Sequence, residues 1–498
     1  VDRPGLPSRR RVLQAGGALA LAAAGLEIAS PLARVPERTA AAATLPDIQF
    51  DIAAQLAAPQ TAVSGVTIQL PPVHTVFVTG RLERDPTAAD QAMLARALAR
   101  LEAVYPFNAA NLLTFVSYGI PYFRRLPGGL TGRLVSARMP RLRSDRSRHV
   151  LEEARPGPTD VSPANPGVTK LRYQVPVVIE SNDMLLTLRS DHGPVLSDAL
   201  AWLAGSNSLR GRAVASPALR GLLTFTSSRH MFTQAGLPRA VAHRAGLPYA
   251  RFIQPRSPMW MGFTDQQVNA SGPAAICTFA GNSSARFTDA VAGDYFDHGS
   301  IQHLAHDILD MLQYYDMDTA AATPGADGTF VQRVQYLFHA PEIAAGHADQ
   351  FADGGGPAFL PNANRGTGYA RRTARGIGTN VNFRTGQREH RMGHLSCLQR
   401  SSRAADGTPV HIRMDGPGFD AMDVPGASHQ PKLQFTIFVP SADFFSRLRI
   451  SQASLDLQAQ FGVTAKNNGL ERFITATRRQ NFLCPPRRHR AFPLAELS

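Results

Sequence analysis

Two kinds of hydrophobic periodicity alternate along this chain in a repeated order, and that order limits the fold more than any other feature. Thr75-Val76-Phe77-Val78-Thr79-Gly80 is a β-branched and aromatic run of the kind that forms a strand. Over residues 90–104, Met93, Leu94, Ala97, Leu98 and Leu101 recur at helical spacing, and Thr87 stands where an N-cap belongs. Residues 112–119 return to strand and run on into Ile120-Pro121-Tyr122-Phe123. Residues 175–179 and 185–188 predict a further strand region, 194–203 a helix and 222–225 a strand. Strand, helix, strand, repeated once, is the split β-α-β order of a ferredoxin-like unit.

The second half is less regular. Residues 274–279 read as a strand. Over 303–315, Leu304, Ile308, Leu312 and Tyr315 predict a helix on which His303 and His306 share a face and offer a metal-binding pair, without an HExxH motif to support it. Residues 320–390 are rich in glycine, arginine and asparagine and predict a long irregular insertion. Residues 432–440 alternate as a core strand, 443–457 read as a helix, and Asn467-Asn468-Gly469 marks a turn. The tail, from Arg478-Arg479 through Arg487-Arg488-His489-Arg490, is basic and broken by prolines; solvated is the default reading, with wrapping of the domain or docking of a partner as alternatives. A chain of 498 residues accommodates two domains, and the division expected is 45–255 for an N-terminal ferredoxin-like domain and 256–498 for a C-terminal one.

Residues 1–44 stand apart. Ser8-Arg9-Arg10-Arg11-Val12-Leu13-Gln14 precedes an apolar, alanine-rich run from 15 to 26, and Ala40 to Ala43 offer small residues for cleavage. This is the pattern of a twin-arginine export signal, and it predicts a periplasmic or extracellular protein. No run approaches the ~18 uninterrupted apolar residues of a membrane span, so stable membrane insertion is not expected. The net charge of +14 is spread without a Lys/Arg block, which argues against a nucleic-acid arm. Cys277, Cys397 and Cys484 form neither CxxC nor CxxCH, so a zinc ribbon and a covalently attached haem are not indicated. No GxSxG elbow, Walker loop or complete dinucleotide loop is present.

The order of elements over residues 70–470 resembles that of the dye-decolorising peroxidases. So do the helix 90–104, the strand 113–119 with Gly119 at its end and Phe123 beyond, and Gly262-Phe263-Thr264-Asp265. The resemblance implies an α+β chain whose two ferredoxin-like halves form a dimeric α+β barrel, with haem b in the C-terminal half. It assigns the haem iron to His394, with His411 as the alternative, because His394-Leu395 followed by Arg403 and His411-Ile412-Arg413 both look like the family's ligand segment. Arg403 is then a cofactor-binding residue. Arg413, 19 residues after His394, falls where the family has its distal arginine. Asp265 falls on the aspartate of a Gly-x-x-Asp-Gly motif whose last glycine is Gln266 here.

The chemistry implied needs those three groups. The axial imidazole leaves the opposite haem face open, a carboxylate moves a proton between the peroxide oxygens, and a fixed cation stabilises the developing anion. The expectation is an exported haem peroxidase that uses hydrogen peroxide to oxidise an organic reductant. The alternative is an exported, haem-free protein of the same fold that acts by binding. Trp202, Trp260, Tyr314 and Tyr315 could pass electrons to bulky substrates, although aromatics at such spacings are usually core. Oligomeric state stays open.

Overall fold

The computed structural model describes residues 45–317 and 410–498 apart from short breaks, together with Leu337 and His394. The predicted export signal, the 320–390 insertion apart from Leu337, Cys397, Asp265, Gln266, Arg403, Asn467 and Asn468 lie outside the described residues. In the first half, β1 (His74–Leu82), α1 (Ala88–Val104) and β2 (Leu113–Tyr118) are followed by β3 (Met184–Ser190), α2 (Gly193–Leu203) and β4 (Leu223–Phe232). The strands pair antiparallel in the order β2-β3-β1-β4. The second half repeats this with β5 (Ser300–Leu309), an edge made of β6 (Ile412–Arg413) and β7 (Gly416–Asp420), β8 (Gln430–Val439), α3 (Ala442–Gln452) and β9 (Ile474–Cys484). Both β6 and β7 pair with β8, β8 with β5, and β5 with β9. Each half is therefore a four-position ferredoxin-like sheet in the same strand order, and the chain is α+β as expected.

Local chemistry fixes the helices. Thr87 and Asp90 form a capping box at the start of α1: the Thr87 hydroxyl accepts from the Asp90 amide at 3.3 Å, and the Asp90 carboxylate accepts from the Thr87 amide at 2.8 Å. Leu94, Ala97, Leu98 and Leu101 then turn one buried stripe onto the sheet. In α3, Phe444, Phe445 and Leu448 do the same.

Two seams join the halves into a ring. At the first, Leu483 of β9 pairs with Tyr118 of β2. Here the buried side chain of Gln49 spans the gap. Its oxygen accepts from the Val116 amide at 2.9 Å, and its nitrogen donates to the Val116 carbonyl at 3.0 Å and the Pro485 carbonyl at 2.7 Å. Gly119 follows directly; a Cβ there would lie 2.3 Å from the Asn182 carbonyl oxygen. At the second seam β7 passes so close to β4 that only glycine fits. A Cβ on Gly416 would meet Thr233 Oγ1 at 2.6 Å and Met231 Cγ at 2.9 Å, and one on Gly418 would meet the His230 carbonyl oxygen at 2.9 Å.

The ring interior is filled. Phe77, Phe115, Leu185, Met231, Leu304, Phe438 and Phe482 come from seven strands and form one buried cluster with Phe50. Phe50 and Phe438 stack at 4.2 Å. Some polar side chains inside are paired, as where Gln302 meets Ser117 at 2.7 Å and Thr187 at 3.2 Å, while Nη2 of Arg189 and Oε1 of Gln434 are buried with no hydrogen-bond partner.

Four local expectations differ from the structure. Residues 300–309 are a strand, not a helix; flanked on both sides by partner strands, this stretch is buried throughout, so its apolar spacing reflects full burial and not a helical stripe. Residues 274–277 form a 3-10 turn where a strand is predicted. Ile120–Arg125 is a short helix with Pro121 in its first turn, where proline is tolerated. The basic tail is not solvated. Arg478 and Arg479 lie in β9, and beyond it Arg487 and Arg490 both pair with Glu102 of α1, at 2.7 and 2.5 Å. Among the described residues no helix is long and apolar enough to cross a membrane.

Gly416→Ala is expected to cost about 1–3 kcal/mol by forcing the second seam apart, whereas Gly167→Ala, which meets nothing within 4 Å, should change urea-unfolding stability by less than ~0.5 kcal/mol. Gln49→Ala strands the Val116 amide and carbonyl and should cost about 2–4 kcal/mol in the same assay.

Candidate functional site

With the interior filled, chemistry has to be sought on the outer faces. In the second half that face carries an unusual load of buried polar groups. Alternation along β5 sends His303 and Asp307 outward and Gln302 and His306 inward, so His303 and His306 lie on opposite sides of the sheet and do not form the pair expected from a helix. His303 stacks on Phe445 of α3 with ring centroids 3.4 Å apart, and its Nδ1 lies 2.7 Å from the Asn481 side-chain oxygen. Its Nε2 is buried with no hydrogen-bond partner, and so is Oδ1 of Asp307. Burial, followed by the nearby Arg479 guanidinium, holds the His303 ring well below the ordinary histidine range. Burial pushes Asp307 the other way, above the usual carboxylate range.

Arg479 projects from the same face. It forms a two-pronged ion pair with Asp160, Nε to Oδ2 at 2.7 Å and Nη2 to Oδ1 at 2.9 Å, with both side chains buried. Burial alone would raise the Asp160 carboxyl, but Arg479 and then Arg449 overcome it and bring it to about 2. Arg449 of α3 reaches the buried Glu471 carboxylate at 3.0 Å, and Thr159 donates to that carboxylate too.

Arg413 belongs to this face. In β6, Ile412 packs into the ring interior with Phe438, so Arg413 points outward. Register places it opposite Ile437, and Ile437 opposite His303, so Arg413, Ile437, His303 and Asn481 form one row across four strands. Two strand spacings separate Arg413 from His303, about 10 Å. Arg413 Nε is 3.8 Å from Asp415 Oδ1. His411, immediately before β6, is 2% exposed, and His394 is helical and 6% exposed.

The turn that leads to Asp265 is fastened to the same sheet edge. Trp260 donates from its indole to the Gly418 carbonyl of β7 at 2.9 Å and packs its ring 5.8 Å from Phe419. Tyr315 donates to the Trp260 carbonyl at 2.7 Å. Gly262 has φ +79°, a backbone state that favours glycine, and a Cβ there would crowd the Tyr315 hydroxyl at 3.2 Å. Trp202, Trp260, Tyr314 and Tyr315 are all buried core residues.

A profile of the family described as "Family of unknown function (DUF7405)" matches residues 154–486. The chain belongs to that family. No curated protein matches the DUF7405 chain. Several solved structures resemble it. One is a variant of DypB from Rhodococcus jostii in complex with heme, at 13% identity and TM-score 0.45, covering 88% of this chain and 98% of that one. Another is the encapsulated DyP-type peroxidase of Mycobacterium smegmatis, at 15% identity and TM-score 0.44, covering 88% and 99%. A dye-decolorizing peroxidase from Bacteroides thetaiotaomicron gives 11% identity and TM-score 0.42 over 90% and 100%. The fold of this DUF7405 member rests on its own strand order and pairing, not on these likenesses.

Sequence reading missed the Asp160–Arg479 pair and the Trp260–Gly418 anchor. Both join residues more than a hundred positions apart, and only strand register relates them. Asp160→Asn leaves the Arg479 guanidinium buried without its partner and should lower stability by about 3–5 kcal/mol. Because the folded carboxyl sits at about 2, below its ordinary 3.8, its contribution is complete above pH 3.8 and lost as pH falls through about 2. Unfolding stability of the unsubstituted chain should therefore drop across that window more steeply than that of Asp160→Asn.

Proposed function

We propose that this protein is a haem-dependent peroxidase in which residues of the outer face of the second sheet and of the β5–β6 connection would hold the haem. The observation that supports the reading is that Arg413 projects from that face, while the connection from β5 to β6 carries a buried, helical His394. Split β-α-β units place both crossovers on one side of the sheet. In the second half α3 covers the outer side through Phe445 and His303, and in the proposed site the imidazole of His394 and the guanidinium of Arg413 would be brought together on that side.

The residues fit haem in kind. His394 offers a buried imidazole for the iron, and Arg403, nine positions later, would assist in holding the group. His411 fits the axial role less well. It lies immediately before β6, two residues from Arg413, so one short segment would have to supply both the iron ligand and the guanidinium. When bound, haem supplies the redox chemistry that cleaves the peroxide O–O bond. Asp265 takes a proton from one peroxide oxygen and returns it to the other. Chain reach supports its presence: three residues span at most about 11 Å, and Gly262 is held through Trp260 to the strand that follows Arg413. Arg413 stabilises the negative charge that develops on the peroxide. The reductant is organic.

The test is absorption spectroscopy on protein expressed with haem supplied. A Soret band should be present, lost in His394→Ala and kept in His411→Ala. With the band intact, Arg413→Leu should lower kcat/KM for peroxide by about 10²–10³ and Asp265→Asn by about 10²–10⁴. A colourless unsubstituted protein, or a band that survives His394→Ala and disappears in His411→Ala, overturns the assignment; the first outcome leaves a haem-free binding protein.

A further inference from the structure

The outer face of the first half carries a second arrangement of histidines, remote in sequence from every residue of the haem proposal. His74 opens β1 and His230 lies near the end of β4. In the register His74 faces Phe232 and Val76 faces His230, so the two histidines are diagonal neighbours on one side of the sheet. Their ring nitrogens, Nδ1 of His74 and Nε2 of His230, are 3.1 Å apart. The ring centroids are 5.2 Å apart and the planes differ by 24°. The centroid separation exceeds the nitrogen separation by nearly two ring radii, so the rings meet edge to edge with the nitrogens between them. Two imidazoles that bind one tetrahedral ion at Zn–N distances of 2.0–2.1 Å hold their nitrogens about 3.3 Å apart.

We propose that His74 and His230 chelate a single divalent transition ion of the zinc class, with water completing its shell. Neither residue is fully buried. Each ring turns one nitrogen toward the other, so binding replaces a shared N–H···N hydrogen bond with two metal–nitrogen bonds and needs only a change of tautomer at one ring. Burial keeps both rings in the neutral form that binds metals, His74 at about 4 with His192 adding to the effect, and His230 at about 3 with His74 adding to it. Gly193, at the start of α2, lies beside the His74 ring. Imidazole pairs suit zinc, copper and nickel, whereas calcium and magnesium prefer oxygen.

The only group of three or more candidate metal ligands brought together among the described residues is Asp47, Asp297 and His298. It is a poorer site, because the Arg488 guanidinium already pairs with both carboxylates.

The test titrates Zn²⁺ alone into the full-length chain after removal of bound metal, by calorimetry, with Cu²⁺ electron paramagnetic resonance in parallel. The expected result is a Zn²⁺ site weakened at least about tenfold, ~1.4 kcal/mol, in both His74→Asn and His230→Asn and unchanged in His298→Asn. The Cu²⁺ spectrum should show hyperfine splitting from two nitrogens that falls to one or none in either variant. If a variant fails to fold, the unsubstituted chain still decides: Zn²⁺ should raise its melting temperature by mass action. An isotherm that His74→Asn and His230→Asn leave unchanged, or an unsubstituted chain with no Zn²⁺ heat and no shift in melting temperature, overturns the proposal.

Discussion

Closure of the ring at two seams is the constraint on which the rest of this structure depends. Two ferredoxin-like sheets each present two edge strands, and unpaired edges leave amides and carbonyls without partners. At the first seam the strands diverge after one pairing, and the Gln49 amide supplies a donor and an acceptor where backbone would otherwise continue the ladder. At the second seam side chains are removed instead: Gly416 and Gly418 let β7 lie against β4. The two halves share a strand order but not a way of meeting. The pseudo-symmetry is one of topology and does not extend to the residues at the joints.

Closure also decides where a ligand can sit. Once seven strands direct phenylalanine, leucine and methionine inward around Phe50, the interior has the packing of a domain core. The outer faces then differ. On the first half, α1 and α2 cover the sheet with leucine, valine and alanine in one continuous cluster. On the second, α3 covers a face that holds Asp160, Arg479, Arg449, Glu471, His303 and Asp307. Buried charge of this density costs desolvation energy that ion pairs at best balance, so it is not what a face built only for stability would contain.

Much of the framework was legible because it is local. Thr87 and the stripe at Leu94, Leu98 and Leu101 announce α1, and the alternation of 432–439 announces β8. The order of these elements identifies the ferredoxin-like unit before any contact is known. The reading failed where burial was complete. Residues 300–309 lie between two partner strands in the middle of a sheet, and with neither face exposed they lose the period of two that marks a strand. The basic tail misled for a related reason: Arg478, Arg479, Arg487 and Arg490 find carboxylates supplied from residues 102, 160 and 423, and charge in a sequence does not reveal whether its partner is a carboxylate or water. Site residues were legible only as resemblance. Nothing in the residues around Arg413 says which side of β6 it faces; Ile412 packing into the interior says so.

That orientation is also what makes a two-sided site possible on this fold. A strand residue can reach only the space above its own face, and a flat cofactor with different chemistry on its two sides needs groups from two walls. The ferredoxin-like unit provides the second wall through its crossovers, which return over the face they leave. His303 is closed off from such a role by Phe445, stacked on it at 3.4 Å, so the central strand contributes polarity and not a ligand. The edge strand lies two strand spacings from His303. The proposed pair, an arginine at the edge and a histidine from the longer crossover, draws on both walls, and the connection between β5 and β6 is long enough in sequence to give the second half a reach that the first, with its short α1 crossover, does not have.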